Sequence, residues 1–237
     1  MPGILIFGGT VEGRQEAERL HGLGESVTVS VTSRYARTLL PGDIPCRVGA
    51  LDESAMREYL KSFMPEKVID ATHPFAVNAT RNIQACCRAL KIPYARIERP
   101  KGAHPWLNDI MHVKDSESAA KALCSTEGNV LLTTGSNTLK IYCDAVDPKR
   151  LWARVLPTHR ALSLCEEAGL EPSHIIAMQG PFSAELNDAI YAMKDISVMV
   201  TKDSGDAGGV SEKVAPALAR EIQVIMIDRP GEDVYAG

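Results

Sequence analysis

The chain has 237 residues, 45% of them apolar and 24% charged, and its 26 lysines and arginines against 30 aspartates and glutamates give a formal charge of −4. That balance excludes a disordered or collagen-like chain and lacks the basic excess that phosphate-backbone binding needs, so nucleic acid is not an expected partner. The length suits two compact lobes.

No apolar run approaches the roughly 20 residues that cross a bilayer, and Met1-Pro2-Gly3-Ile4 enters an apolar stretch without a basic leader, so a cytoplasmic, non-membrane protein is expected. The six cysteines form no C-x-x-C pair and read as reduced, mostly buried thiols; the scattered histidines give no ligand cluster, so no metal is expected.

In chain order, the β-branched run 4–7 predicts a strand, followed by Gly8-Gly9-Thr10-Val11-Glu12-Gly13-Arg14 and a helix towards His21. Thr10 is a natural N-cap, and glycines there let amides approach a diphosphate at the positive helix end. The spacing is not G-x-G-x-x-G, and the same residues also suit an ordinary tight turn. The second strand, 27–31, ends at Thr32-Ser33-Arg34-Tyr35. An acidic residue at this point would hold a ribose 2′-hydroxyl; Ser33 and Arg34 offer a hydroxyl and a cation suited to a 2′-phosphate, which favours NADPH over NADH. An arginine on an exposed loop would look the same.

Helical spacing of Met56, Tyr59, Leu60 and Phe63 leads to a strand over 68–70 that closes on Asp70-Ala71-Thr72-His73-Pro74-Phe75-Ala76. Pro74 is expected at the first helical position with Thr72 or His73 near the N-cap, and Ala79, Ile83, Cys86, Cys87 and Leu90 continue the helix. His73 is suited to orient a nicotinamide, meet an acidic substrate or donate a proton; the plainer alternative is a histidine that only satisfies the helix end. A bridge over 101–128 carries Pro105, Trp106 and a helix over 116–123. Strands follow over 130–132, 152–155, 175–178, 197–200 and 224–227. Thr133-Thr134-Gly135-Ser136-Asn137 repeats the strand-turn-helix plan. The polar loop from Thr201 to Gly209 precedes a helix starting near Ser211. Lys202, Ser204, Lys213 and the loop amides suit carboxylates, or else form an ordinary surface loop. Pro216 is expected close to that helix's start.

Both parts close a strand on Arg-Pro, at Arg99-Pro100 and Arg229-Pro230, and Gly9 pairs with Gly135 and Gly49 with Gly180 in nearly equal spans. The expectation is an α/β chain of two similarly wound Rossmann-like lobes with parallel sheets: 1–100 binding the nucleotide, 101–237 contributing to the substrate site, and the cleft between them as the default ligand site.

Together these residues resemble the precorrin-6A reductases of cobalamin biosynthesis, including the cobalt-precorrin-6A reductases. The resemblance rests on Ile4-Leu5-Ile6-Phe7-Gly8-Gly9-Thr10-Val11-Glu12-Gly13-Arg14, Ile69-Asp70-Ala71-Thr72-His73-Pro74-Phe75-Ala76 and Arg96-Ile97-Glu98-Arg99-Pro100. It continues through Gly180-Pro181-Phe182-Ser183, Thr201-Lys202-Asp203-Ser204-Gly205 and Arg229-Pro230, nearly the whole chain. It implies hydride transfer from a nicotinamide nucleotide, NADPH with NADH as the other choice, to a polycarboxylate tetrapyrrole, with or without cobalt. On that basis Gly8, Gly9, Thr10, Glu12 and Gly13 hold diphosphate, Ser33 and Arg34 the 2′-phosphate, and Thr72 to Phe75 lie beside the nicotinamide with His73 or water as proton donor. Arg96, Arg99, Lys202 and Lys213 are expected to clamp carboxylates, with Ser204 in the same loop. A short-chain dehydrogenase or epimerase needs a Tyr-x-x-x-Lys pair, and none of the tyrosines has a lysine four positions on. A non-catalytic nucleotide-sensing module is the alternative from another class. Oligomeric state stays open, a monomer being compatible.

Overall fold

The computed structural model describes residues 3–98 and 104–231, in two units: Met1–Pro100 with Pro230–Gly237, and Lys101–Arg229. Pro230 and Gly231 thus group with the first unit, where the sequence division gave them to the second.

In the first unit β1 (Ile4–Phe7), β2 (Val27–Val31), β3 (Cys46–Val48), β4 (Lys67–Asp70) and β5 (Tyr94–Arg96) form one parallel sheet in the order β3-β2-β1-β4-β5. Parallel neighbours need crossover connections, supplied by α1 (Val11–Gly22), α2 (Arg34–Thr38), α3 (Glu53–Phe63) and α4 (Val77–Leu90). Alternate strand residues bury on opposite faces. Ile6, Val29 and Ile69 pack with Ala17 and Leu20 of α1, whereas Leu5, Phe7 and Val68 pack with Met56 and Leu60 of α3 and Ile83, Cys86 and Cys87 of α4. Burial pushes the Cys87 thiol up to about 12, as expected of a packing residue.

The second unit contains β6 (Met111–Val113), α5 (Ser116–Leu123), β7 (Asn129–Leu132), α6 (Leu139–Ala145), β8 (Leu151–Val155), α7 (His159–Glu167), β9 (Ile175–Ala177), α8 (Ala184–Met193), β10 (Ile196–Lys202), α9 (Val210–Ala219) and β11 (Gln223–Ile227). Its parallel sheet runs β6-β11-β10-β7-β8-β9. Leaving aside the edge strand β6, the winding is third, second, first, fourth, fifth, the same as in the first unit. β6 is three mostly exposed residues with no apolar run, which is why periodicity misses it.

Two helix starts differ from expectation. α4 begins at Val77 with Ala76 as an unassisted N-cap, and Pro74 lies before it in a turn closed by the Ala76 amide donating to the His73 carbonyl at 2.8 Å. Thr72 does not cap because its hydroxyl is engaged elsewhere. Pro216 is the seventh residue of α9, well inside the helix. Its missing amide would have satisfied the Glu212 carbonyl. The Asn187 side-chain amide of α8 donates there instead, at 2.9 Å, and the Tyr191 hydroxyl donates to the next carbonyl, Lys213, at 2.9 Å. The Asn187 side chain on α8 therefore fills the proline's gap. Among the described residues no helix is long and apolar enough to cross a membrane.

Candidate functional site

In an open parallel sheet, ligands bind beyond the carboxyl ends of the strands where the winding reverses. In the first unit that point lies between β1 and β4, so the turns starting at Gly8 and Ala71 are neighbours. One side chain joins them: the Thr10 hydroxyl donates to the Ala71 carbonyl at 2.8 Å while accepting the Gly13 amide at 3.1 Å as the N-cap of α1. Gly8 and Gly13 occupy the first and third glycine positions of the dinucleotide fingerprint, with Thr10 in the second. The outer two are required by packing. A Cβ on Gly13 would lie 2.9 Å from the Ala71 Cβ and 3.3 Å from the Gly8 Cα, and one on Gly8 would meet Val29 at 3.0 Å. Gly9 has φ +113° and open space around it. The amides of Gly9, Thr10 and Val11 donate to no group among the described residues. Three unspent donors at the positive end of α1, with Glu12 in its first turn, fit a diphosphate.

At the end of β2, Ser33 caps α2 by accepting the Ala36 amide at 3.1 Å, and its hydroxyl proton remains available to donate. Arg34 follows as the first residue of α2; both are exposed.

The turn after β4 is built on Asp70, which is fully buried. Its carboxylate accepts the Thr72 amide at 2.9 Å, the Thr72 hydroxyl at 2.7 Å, the Tyr94 hydroxyl at 3.0 Å and the Arg96 guanidinium at 2.5 Å. The same Arg96 nitrogen donates to Thr80 of α4 at 2.6 Å. Arg96, expected to reach substrate, ties β4, β5 and α4 together through these bonds. The expected Arg99 lies outside the described residues. The His73 ring is half-buried, and its Nδ1 accepts the Phe75 amide at 3.3 Å. A protonated Nδ1 could not accept that bond, so a neutral ring that accepts it carries its hydrogen on Nε2.

The second unit repeats this device. Between β7 and β10, Lys202 donates to the Thr134 carbonyl at 2.8 Å, and burial draws its ammonium below the usual lysine range. Asp203 holds Arg229 through an ion pair at 3.0 Å and accepts the Gly205 amide at 3.2 Å, as Asp70 holds Arg96 and accepts the Thr72 amide. Ser204 is buried and donates to the Gly208 carbonyl at 3.3 Å, so the loop is internally braced. His104 pairs with Asp206 at 3.0 Å and stacks on Trp106 at 4.5 Å, bracing the loop from outside. Lys213 is buried on α9, and burial, then the nearby Arg154 charge, lowers it to about 8 against the opposing pull of Glu212. Sequence reading missed Asp70, Thr80, Tyr94 and Arg154. Only the Asp-x-Thr spacing at Asp70, which permits an Asx turn, signalled any of them.

A family model described as Precorrin-6x reductase CbiJ/CobK matches residues 3–236. The cobalt-precorrin-6A reductase of Priestia megaterium is 36% identical over 231 residues, covering 96% of this chain and 90% of that protein. The precorrin-6A reductase of Mycobacterium tuberculosis is 31% identical over 235 residues, covering 97% and 90%. A solved structure described as CobK precorrin-6A reductase aligns with a TM-score of 0.79 at 27% identity, covering 98% of this chain and 89% of that one.

Proposed function

Because the chain belongs to the precorrin-6x reductase family, we propose that it transfers hydride from NADPH to precorrin-6A or its cobalt-containing counterpart, saturating one double bond of the macrocycle in cobalamin biosynthesis. Membership in an oxidoreductase family displaces both the sensing module and the short-chain dehydrogenase. The observation that carries the cofactor assignment is the trio of unspent amides from Gly9 to Val11, held at the switch point by Gly13 packed on Ala71.

A reduced nicotinamide nucleotide, when bound, supplies the hydride; the chain's own work is to position, shield and deliver a proton. Gly8 to Gly13 cradle the diphosphate. Ser33 and Arg34 meet the 2′-phosphate, the choice that favours NADPH. The Thr72 to Pro74 turn, made rigid by Asp70 and Arg96, lies beside the nicotinamide. His73 offers its Nε2 hydrogen, directly or through water, to the ring atom next to the one that receives hydride. Lys202, Ser204 and Lys213 face the substrate's carboxylates. Six free thiols fit a reducing cytoplasm as the setting.

The test measures oxidation of NADPH and NADH with the cobalt-free and the cobalt-containing macrocycle side by side, in wild type, Arg34→Ala and His73→Ala. The expected result is turnover that prefers NADPH, a preference lost in Arg34→Ala, and a lowered kcat in His73→Ala. An unchanged NADPH preference in Arg34→Ala removes the 2′-phosphate assignment, normal turnover in His73→Ala removes the proton donor, and no oxidation with either macrocycle removes the reductase reading.

A further inference from the structure

Arg154 and Lys213 are the two most deeply buried cations of the second unit among the described residues, 7% and 8% exposed, and neither meets a carboxylate. Arg154, near the end of β8, donates to the Asn187 side-chain oxygen at 2.6 Å and lies over the Phe182 ring at 4.2 Å. Both partners are neutral. Among the described residues the Lys213 ammonium has no hydrogen-bond or ion-pair partner, and its positive charge is opposed by that of Arg154. Glu212, whose charge pulls the Lys213 ammonium the other way, is its exposed sequence neighbour.

Placement makes the arrangement more costly still. Lys213 and Asn187 each stand at the fourth residue of their helix, in the N-terminal halves of α9 and α8. Both helices start at the carboxyl edge of the sheet, where their dipoles are positive and a lysine is disfavoured. Thr201, one residue from the end of β10, is fully buried and its hydroxyl has no partner among the described residues. By strand alternation it faces the same side as Met199, whose sulfur lies 3.2 Å from the Tyr191 hydroxyl of α8. Two neighbouring buried cations, two helix N-termini and an unspent hydroxyl thus belong to the carboxyl-edge end of the second sheet, where open α/β sheets bind ligands, and a buried charge persists only with compensation.

We infer that Arg154 and Lys213, steered by Asn187 and joined by Thr201, form a receptor for one carboxylate of the substrate macrocycle. A carboxylate accepts from the guanidinium, the ammonium and the hydroxyl together, with charge-assisted geometry. Asn187 is a positioning residue: it aims Arg154 from α8 while its amide holds the Glu212 and Ser183 carbonyls, at 2.9 and 2.8 Å. The inference rests on the polycarboxylate substrate read above and supplies a named receiver for it.

The test is binding to the full chain without turnover. Precorrin-6A, with no nucleotide present, and NADPH, with no macrocycle present, are titrated separately by calorimetry into wild type, Lys213→Met, Lys213→Arg and Arg154→Lys. Loss of one charge-assisted contact predicts about a ten- to hundredfold rise in the precorrin-6A Kd for Lys213→Met, with partial recovery in Lys213→Arg and an NADPH Kd within about twofold of wild type. Lys213→Met is also expected to melt no lower than wild type at neutral pH, since it removes an uncompensated charge. An unchanged precorrin-6A Kd in a folded Lys213→Met overturns the inference, and so does a weakened NADPH Kd, which would make the pair a phosphate site. Failure of Lys213→Met to fold overturns it too, because the pair would then be stabilising the fold without an anion. Wild type that binds precorrin-6A through these residues yet oxidises neither nucleotide would leave the receptor standing and sink only the reductase reading.

Discussion

Asp70→Asn tests whether the turn that carries His73 is built on a buried charge pair. Asp70 is fully buried and the Arg96 side chain is 12% exposed, so water screens little of their interaction. The amide keeps one oxygen for the Thr72 amide, but its nitrogen would face the donors of Arg96 and Tyr94. Breaking a buried pair while leaving the partner charged costs about 3–5 kcal/mol. At roughly 2–4 °C per kcal/mol for a chain of this size, the first unit should melt about 6–20 °C lower. The assay is thermal unfolding by circular dichroism, with urea unfolding as a check on the slope. Replacing both members, Asp70→Leu with Arg96→Met, should cost less than Asp70→Asn alone, because no uncompensated charge remains. The equivalent Asp203→Asn should cost less, about 1–2 kcal/mol, since Asp203 is 24% exposed. An Asp70→Asn protein melting within about 2 °C of wild type would refute the reasoning, and the His73 turn would need another source of rigidity.

Asn187→Ala should destabilise by about 2–5 kcal/mol, since it strands both Arg154 and the Glu212 carbonyl; in a Pro216→Ala background the restored amide serves that carbonyl, so a double-mutant cycle should return about 1 kcal/mol of coupling. Gly13→Ala should raise the NADPH KM several-fold while stability falls by no more than about 2 kcal/mol, because overpacking against Ala71 is partly offset by the better helix former; an unchanged KM would separate the α1 packing from nucleotide binding. For Lys213, whose folded value of about 8 lies below the ordinary 10.5, the unfolded chain binds the extra proton between those limits. Stability of the ligand-free protein should therefore gain a rising contribution as pH climbs from 8 towards 10.5. Lys213→Met should be more stable than wild type by up to about 3 kcal/mol below pH 8, converging above 10.5. Urea midpoints measured across that range check the sign.

Much of the fold was legible because its signals are local. The β-branched runs at 4–7, 27–31 and 224–227 bury on both faces and have few alternatives to parallel strands, and Gly9 and Gly135 mark turns whose positive φ most residues avoid. Ser116–Leu123 was readable as a helix from its own spacing. β6 was not, since three exposed residues become a strand only by pairing with β11. Pro216 shows the same limit from the other side. The rule against an interior proline holds for an isolated helix, and it is overridden by Asn187, which is 25 positions from the Glu212 carbonyl it serves.

The sequence by itself determined the two-fold α/β plan, the glycine turn beneath α1 and the family, since each depends on residue order and on conformations that neighbouring residues impose. Tertiary structure alone decided what the charges do. Arg96 proved to be an internal brace on Asp70, 26 positions away, while Arg154, without any motif, stands buried beside Lys213. A side chain's charge is written in the sequence, but its partner and its exposure to water are fixed only when distant strands and helices close around it, and those two quantities set its energy and its use.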